Sequence, residues 1–364
     1  MKFKGTLTSA TLYVTGTLYR DYFFRTGGKI ADFPKVDGPS LIADALVDLE
    51  IPPPAAPTGR DMLVEIHAVS VNPVDTKVRR RDDPNEGPRI LGFDGAGVVR
   101  AVGPECSLFR PGDEVFYAGV INRSGTNAEL HLVDERIVGR KPRNLTFAEA
   151  AALPLTAITA WEGLFDRLGV PQGGGQGQTL LVIGGAGGVG SMVIQIARAV
   201  TGLTVVATAS RPETAQWCRD LGAHHVVDHH GDIAAQMKAL GLRGANLIYS
   251  ANTTAKNWAA MVDAVAPQGR ILLIESQAPV DARDVMRKSV SIHWELMFTR
   301  PLFSTPDMIE QHRLLNEVAG LIEAGRMRST MTRNLGKIAA ANLIQAHALV
   351  ESGGMIGKVV LEDF

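Results

Sequence analysis

The sequence predicts an α/β protein that combines a doubly wound parallel sheet with a second, mainly antiparallel β domain. Strand-like runs alternate with helical patterns from about residue 157 to 300, which is typical of βαβ units. Short strand-like runs separated by glycine, proline and acidic turns fill residues 29–140, which is typical of an all-β domain. The 364 residues, 45% of them apolar, exceed what one hydrophobic core usually organises. We therefore expect about two domains.

The N-terminal part of the chain divides into an extension and the β domain. Residues 1–28 contain the run TLYVTGTLYRDYFF, which suits a strand or a hairpin, and no role is assigned to them. Residues 62–71 alternate between apolar and polar side chains, as expected of a half-buried strand. The following NPVDTKVRR predicts a loop that turns into a helix, with Asn72 or Asp75 able to cap it.

A glycine-rich turn lies between a buried strand and a helix near the middle of the chain. Residues 180–183 form a continuous apolar run, which suits a parallel strand buried on both faces. The glycines that follow match G-x-G-x-x-G, whose members permit a tight turn, close approach of backbone to a pyrophosphate, and close packing of helix on strand. The helix then points its N-terminal N–H groups at the phosphates. We therefore predict a dinucleotide site formed by Gly185, Ala186, Gly187, Gly188, Val189 and Gly190.

The residues after the second strand of this sheet indicate which nicotinamide cofactor is preferred. An NAD-selective site places an acidic residue about 20 positions beyond the glycine turn, where it binds the ribose hydroxyls. Here that strand ends in Thr208, Ala209, Ser210 and Arg211, with no acid. Ser210 can donate a hydrogen bond to a 2′-phosphate and Arg211 can bind it bidentately. The sequence therefore favours NADPH over NADH.

The last strand, KVVLEDF, follows two amphipathic helices and needs a partner. We expect the chain to return to the first domain and complete its sheet, so that this domain is discontinuous. The predicted division is an N-terminal extension (1–28), a catalytic β domain (29–156 and 302–364) and a dinucleotide-binding domain (157–301).

Composition excludes several classes of function. The net charge is −1 with both signs interspersed, which gives no electrostatic case for nucleic acid or an anionic membrane. The one basic cluster, at 79–81, is followed by two aspartates and is interpreted as a solvated loop. No run of about 18 apolar residues and no signal peptide is found. Two distant cysteines argue for a reducing compartment, so we expect a cytoplasmic protein.

Several motifs, taken in order, resemble the medium-chain dehydrogenase/reductase superfamily, in its zinc-type alcohol dehydrogenase-like branch near the quinone oxidoreductases. The resemblance extends from about residue 29 to the end and rests on SVNPVDTKVR, LGFDGAGVV, FRPGDEVFYAG, EAAALPLTAITAW, IGGAGGVGS, LGAHHVVDH, APQGRI and GKVVL. It implies a Rossmann domain, a discontinuous GroES-like catalytic domain, a nicotinamide cofactor and a homodimer, formed by edge pairing of the nucleotide sheets.

The resemblance also allows a check for zinc. Zinc-dependent members carry a Cys where this chain has Asn72, a His-Glu pair where it has Phe93-Asp94, and a Cys near Leu155. Asn72 and Asp94 do not supply the three ligands of a catalytic zinc, and the four cysteines of a structural zinc lobe are missing. Adjacent residues on a strand point to opposite faces, so the cluster His224 to His230 is interpreted as a surface strand. We expect no metal.

The candidate catalytic residues come from the same resemblance. The amide of Asn72 can orient nicotinamide or substrate, and Thr156 lies where related quinone oxidoreductases contact the nicotinamide. Lys77 replaces a Tyr of related enzymes, which leaves the proton donor open between Asp75, solvent and two further residues, Asp94 and Tyr117. The Gly357-Lys358 pair implies a lysine near the cofactor phosphates. His293, Trp294 and Phe298 are candidates for lining the pocket or for the core.

The leading functional hypothesis is a zinc-free, NADPH-dependent reductase of a quinone or an α,β-unsaturated carbonyl compound. When a simple alcohol is oxidised without a metal Lewis acid, the developing alkoxide lacks a stabilisation of roughly several kcal/mol. Hydride transfer to an electron-poor acceptor needs mainly positioning and a donor to the developing enolate. Two alternatives stay open: a zinc-dependent alcohol dehydrogenase, and an NADPH-binding sensor or structural protein without significant turnover.

Overall fold

A computed structural model describes residues 8–13, 45–81, 89–252, 254–275 and 278–364. The strands are β1 (Thr8–Tyr13), β2 (Leu46–Ile51), β3 (Asp61–Val71), β4 (Arg89–Ile90), β5 (Gly95–Val102), β6 (Glu114–Tyr117), β7 (Leu130–Asp134), β8 (Val138–Arg140), β9 (Thr179–Ile183), β10 (Thr204–Thr208), β11 (His225–Val227), β12 (Ala245–Ser250), β13 (Val265–Leu273), β14 (Ser291–Trp294), β15 (Met331–Asn334) and β16 (Lys358–Glu362). The helices are α1 (Pro73–Arg81), α2 (Phe147–Ala151), α3 (Pro154–Trp161), α4 (Gly188–Val200), α5 (Pro212–Asp220), α6 (Ile233–Ala239), α7 (Thr254–Ala264), α8 (Thr299–Phe303), α9 (Glu310–Glu323) and α10 (Ala340–Glu351). No helix in these ranges is long and apolar enough to cross a membrane.

The chain forms two compact units. Unit 1 takes in residues up to Leu155 together with Phe298–Gly320 and Met331–Phe364, and unit 2 consists of Thr156–Met297 and Leu321–Thr330. This division differs from the predicted one in three places: residues 298–301 group with unit 1, Leu321–Thr330 groups with unit 2, and so does Thr156. The second difference has a local cause, because the side chain of Gln195 on α4 exchanges hydrogen bonds with the backbone of Arg328.

Unit 1 is built on a sheet in the order β15-β16-β3-β5-β6-β8, with β7 also paired to β3. β3 lies near its centre, and most of its residues are buried on both faces, whereas the alternating sequence predicts a half-buried strand. β16 pairs antiparallel with β3, with Val359 opposite Val71, so the predicted return of the last strand to the first sheet is confirmed. In the N-terminal extension, β1 pairs antiparallel with β2 and β4 in a separate small sheet.

Unit 2 contains a six-stranded parallel sheet in the order β11-β10-β9-β12-β13-β14. Along the chain this is the 3-2-1-4-5-6 order of the doubly wound dinucleotide-binding fold, which places the first strand, β9, beside the switch point. β9 is buried over its whole length, as its continuous apolar run predicts. The predicted α/β fold class, with a Rossmann sheet and a GroES-like domain, is confirmed.

The basic cluster that ends α1 differs from the sequence prediction. Residues 79–81 are the last turn of a helix and not a loop. Arg79 is buried, its guanidinium contacts His347 Nδ1 at 2.9 Å, and it is paired with Glu351. Both partners lie on α10, so the contact joins segments that are far apart in sequence.

Candidate active site and cofactor site

The glycine turn of unit 2 joins β9 to α4, and the predicted cofactor residues Gly185, Ala186, Gly187, Gly188, Val189 and Gly190 lie in it. Gly187 is the N-cap, so the helix begins at Gly188. A Cβ at Gly190 would lie 2.2 Å from the Gly184 carbonyl oxygen, whereas a Cβ at Gly187 would meet nothing closer than 3.6 Å. The third glycine of the motif is therefore required by packing, and the second faces free space at the helix N-terminus.

The end of β10 is tied to this turn. Thr208 Oγ1 accepts a hydrogen bond of 2.9 Å from the Gly184 amide, and the Thr208 carbonyl accepts one of 3.2 Å from the Gly185 amide. Sequence reasoning did not assign a role to Thr208, although its position as the last residue of the second strand places it beside the turn. These bonds hold in place the segment that carries Ser210 and Arg211.

Arg211 occupies the N-cap position of α5, and Ser210 precedes it. The Arg211 side chain is 48% exposed, and its Nε lies 3.2 Å from Glu213 Oε1. An ion pair this exposed is weak, so an incoming anion can compete with Glu213 for the guanidinium. β10 ends without the carboxylate that binds the ribose hydroxyls in NAD-selective sites.

Unit 1 contains a buried polar cluster at the point where β3 ends and β5 and β16 begin. Asp94 is at its centre: its Oδ2 accepts hydrogen bonds from Ser70 Oγ and Asn72 Nδ2, both at 2.7 Å. Its Oδ1 accepts a bond of 2.8 Å from the Leu155 amide. Lys358 Nζ lies 3.2 Å from Oδ2. We refer to Ser70, Asn72, Asp94 and Lys358 as the Asp94 cluster.

Asp75 lies in the first turn of α1, next to the Asp94 cluster. Its Oδ2 accepts a hydrogen bond of 2.7 Å from the Asn72 amide, which confirms that Asp75 caps the turn, while its buried Oδ1 has no hydrogen-bond partner. Burial raises the pKa of Asp75 to about 7, although the Asn72 amide and the charge of Lys358 act in the opposite direction. This carboxyl group therefore titrates near neutral pH.

Lys358 is held within unit 1, close to Asn72 and Asp94. Its side chain is almost completely buried, and its Nζ donates to the Val71 carbonyl at 3.1 Å, to Asn72 Oδ1 and to Asp94 Oδ2. An ammonium group has three N–H donors, and all three are used within unit 1. All three donors are thus engaged without a phosphate, and the predicted role of Lys358 at the cofactor phosphates stays a prediction.

The other candidate residues lie elsewhere. Tyr117 is not a suitable proton donor, because its buried hydroxyl is 2.9 Å from His131 Nδ1 and burial raises its pKa. Thr156 is buried in α3 and belongs to unit 2, and Lys77 is half-buried on α1. Neither is part of the Asp94 cluster, and their catalytic roles stay predictions.

The proposed pocket residues do not form one group. Phe298 is buried in unit 1 against Phe93, with ring centroids 5.4 Å apart, so it serves the core. Trp294 ends β14 and is 55% exposed, and His293 precedes it on the same strand.

The residues of unit 1 do not fit a catalytic zinc ion. The expected zinc ligands are replaced by other residues. Asn72 offers an amide, and the expected His-Glu pair is replaced by Phe93 and Asp94. Leu155 offers only its backbone amide. The single carboxylate is already bonded to four donors, including an ammonium group. Over the described part of the chain, no three His, Cys, Asp or Glu side chains converge as a metal site, and this includes the histidines at 224–230.

Sequence reasoning missed Ser70 and did not bring Lys358 next to Asp94. Ser70 precedes Asn72 by two positions and so belongs to the same face of the chain as it leaves β3, which is a signal that alternation along a strand could have supplied. The position of Lys358 depends on the pairing of β16 with β3, which no local pattern encodes.

Comparison with known proteins supports the fold and the class of enzyme. Residues 58–161 match the alcohol dehydrogenase GroES-like domain, and residues 188–311 match the zinc-binding dehydrogenase family. These two matches define an oxidoreductase with a nicotinamide-binding domain. A zinc-type alcohol dehydrogenase-like protein of Staphylococcus aureus (strain COL) is 42% identical over 308 residues, which cover 84% of this chain and 91% of that protein. The chain belongs to the zinc-type alcohol dehydrogenase-like proteins of the medium-chain dehydrogenase/reductase superfamily.

The names of other relatives state different activities or cofactors. A crystal structure from Rhizobium etli CFN 42, described as a zinc-dependent alcohol dehydrogenase protein, is 54% identical, covers 99% of both chains and has a TM-score of 0.88. A tomato 2-methylene-furan-3-one reductase is 41% identical over 180 residues, which cover 46% of this chain and 44% of that protein. A mycobacterial protein solved with NADPH is 25% identical, covers 98% of this chain and 99% of its own, and has a TM-score of 0.76.

Proposed function

We propose that this oxidoreductase is a zinc-independent, NADPH-dependent reductase of quinones or α,β-unsaturated carbonyl compounds. The observation that carries the proposal is the Asp94 cluster, in which hydrogen bonds and an ammonium group satisfy the carboxylate at the positions where zinc-dependent relatives hold a metal. An electron-poor acceptor needs no metal to stabilise an alkoxide, and such a substrate therefore suits this site better than a simple alcohol.

The cofactor proposal is supported by the residues after β10. Ser210 and Arg211 would hold the 2′-phosphate, and the turn from Gly185 to Gly190 would hold the pyrophosphate at the N-terminus of α4. The mycobacterial relative solved with NADPH is consistent with this preference. A bound nicotinamide supplies the hydride.

The residues of the chain have three tasks in this reaction. Asn72 keeps one amide N–H beyond the one it donates to Asp94, and it would donate this N–H to the oxygen of the acceptor. Asp75 would supply or relay the proton, because its buried carboxyl group titrates near neutral pH. Thr156 would orient the nicotinamide, as its position in the family implies.

The acceptor class can be tested directly. Purified protein is supplied with NADPH and a panel of quinones, enals, simple ketones and, in the reverse direction with NADP⁺, primary and secondary alcohols, with absorbance at 340 nm as the readout. Turnover confined to quinones and enals is expected. The tomato reductase, whose name states an enone-type substrate, supports the inclusion of exocyclic enones in the panel. Turnover of alcohols alone would favour the alcohol dehydrogenase alternative, and binding of NADPH without turnover would favour the sensor.

Oligomeric state and location are also proposals. β14 is the edge strand of the unit 2 sheet, and the exposed side chains of Trp294 (55%) and Leu296 (51%) lie on it and just after it. An unpaired edge with large apolar side chains supports the predicted homodimer by edge pairing. Both cysteines are free thiols, which supports a reducing cytoplasmic location.

A further inference from the structure

The three hydrogen bonds of Lys358 define a cation position within unit 1. The oxygens that converge on its Nζ are the Val71 carbonyl, Asn72 Oδ1 and Asp94 Oδ2, and only one of them carries a formal charge. The side chain is 4% exposed, so water does not compete for these bonds. Three converging oxygens, one of them a carboxylate oxygen, form a set that a small cation would occupy.

Asp94 depends on this cation. The carboxylate is completely buried, and a buried unpaired carboxylate is strongly unfavourable. Its three neutral donors, Ser70, Asn72 and the Leu155 amide, satisfy its lone pairs but do not neutralise its charge. The ammonium group of Lys358 is the compensating charge that contacts it directly.

The same pair determines the orientation of the Asn72 side chain. Its oxygen accepts from the ammonium of Lys358, and its nitrogen donates to the carboxylate of Asp94. A rotation of the amide by 180° would bring N–H groups against the ammonium and the oxygen against the carboxylate. Opposite charges on the two sides of the amide therefore hold it in one orientation, with one N–H left to donate.

We propose that the ammonium group of Lys358 is the built-in cation of this site and takes the place of the metal ion that zinc-dependent relatives bind. Lys358 and Asp94 are then positioning residues that fix the amide of Asn72 for the reaction. The part of this inference that concerns turnover rests on the proposed reductase function, but the identity of the cation does not.

Chemical rescue of the variant Lys358→Ala tests the proposal. The deletion removes three methylene groups and the ammonium, which together have the shape of propylammonium. The matched control is Lys288→Ala, since Lys288 Nζ also donates to three oxygens, the carbonyls of Val262, Asp263 and Val265, but contacts no carboxylate. Thermal unfolding and NADPH oxidation with the best acceptor are measured for the full-length protein in propylammonium chloride, in 1-propanol and in tetramethylammonium chloride.

We expect Lys358→Ala to lower kcat by about 100-fold, as the loss of one oriented donor typically does. Propylammonium should raise the kcat of Lys358→Ala by about tenfold or more. It should also raise the unfolding midpoint of this variant, because it binds the folded state only. Propanol, which has the shape without the charge, and tetramethylammonium, which has the charge without N–H groups, should do neither. The wild type and Lys288→Ala should not respond to propylammonium beyond the effect of ionic strength.

Two results would overturn the proposal: an unfolding midpoint of Lys358→Ala that does not respond to propylammonium, or wild-type protein that contains one equivalent of zinc and loses its activity on chelation. If the wild type shows no turnover with any acceptor, the proposed function fails, while the unfolding midpoints still decide whether Lys358 is the cation.

A second variant covers the case in which Lys358→Ala does not fold. Lys358→Met combined with Asp94→Asn removes both charges and keeps the side-chain volumes, so this double variant is expected to fold. Its kcat should be about 100-fold below wild type, with the KM for NADPH changed by less than about twofold, because the amide of Asn72 is no longer held by opposite charges. Wild-type kcat in this double variant would contradict the positioning role.

Discussion

Asp75 shows at the scale of one residue how burial prepares a carboxyl group for chemistry. Its Oδ2 is held by the Asn72 amide while its Oδ1 has no partner, and the fully buried position raises its pKa from 3.8 to about 7. Ionisation of this carboxyl group therefore lowers the free energy of unfolding. This effect has a definite sign and pH range.

We predict that the stability difference between wild type and Asp75→Asn falls as the pH rises from about 4 to about 7. Between these values the folded state binds more protons at Asp75 than the unfolded state does, so the stability contributed by this group is complete below about pH 4 and is lost by about pH 7. The change is at most about 4 kcal/mol for a shift of this size. Urea unfolding of both proteins at half-unit pH intervals measures it, and parallel curves for the two proteins would contradict it.

Arg211 is the residue on which the cofactor preference depends most directly. We predict that Arg211→Ala raises the KM for NADPH about tenfold or more and changes the KM for NADH by less than about twofold, since a charge-assisted bond to the 2′-phosphate contributes about 1.5–3 kcal/mol. The control is Glu213→Gln, which removes the negative charge 3.2 Å from the guanidinium and should lower the KM for NADPH slightly. An equal increase in the KM for NADPH and for NADH in Arg211→Ala would show that Arg211 does not bind the 2′-phosphate.

At this scale, the sequence singled out residues that lie close together but did not predict their contacts. Asn72, Asp75 and Lys358 were all named, and all three meet around Asp94. The partner of Lys358 could not be predicted, because the lysine reaches Asn72 only through the pairing of β16 with β3 across 286 residues. A side chain whose environment is set by a distant strand has no local signature.

At the scale of elements, the β9 turn and α4 were predicted almost completely, because a buried strand, a glycine motif and an amphipathic helix follow one another within about 20 residues. Each step is encoded locally. The last turn of α1 is the opposite case: its arginines appear as a solvated cluster in the sequence, while Arg79 is buried against α10. Only the tertiary contact shows this.

The two glycines that frame the start of α4 give a matched pair of variants. We predict that Gly190→Ala destabilises the protein by about 1–3 kcal/mol or more. Its Cβ would lie 2.2 Å from the backbone oxygen of Gly184, so the backbone of the turn would have to shift. Gly187→Ala has a nearest contact of 3.6 Å and should unfold like the wild type, yet bind NADPH more weakly, since its Cβ stands where the pyrophosphate approaches. Thermal unfolding and NADPH fluorescence titration separate the two effects. Equal unfolding midpoints for the two variants would contradict the assignment.

At the scale of the whole molecule, the α/β class and the return of the last strand were predicted from pattern and resemblance, and both are observed. The borders of the units were predicted less well. Leu321–Thr330 groups with unit 2 through contacts such as that between Gln195 and Arg328, and no change in composition marks these ten residues.

Assembly is a prediction at the same scale. We expect Trp294→Glu to convert the proposed homodimer into a monomer, because a charge on the edge strand β14 opposes strand pairing with a second copy. Light scattering after size-exclusion chromatography gives the mass. Leu240→Glu, which changes another exposed apolar residue that is not on this edge, is the control. A monomeric wild type, or a dimeric Trp294→Glu, would exclude pairing through β14.

We propose that this member of a zinc-named family reduces its acceptor without zinc. The most direct test is the rate of NADPH oxidation with a quinone or an enal before and after exhaustive chelation, with the zinc content of the same samples measured in parallel. The structure of the Asp94 cluster predicts an unchanged kcat in protein that contains far less than one zinc per chain. Activity that disappears with the metal and returns with one equivalent of zinc would contradict it.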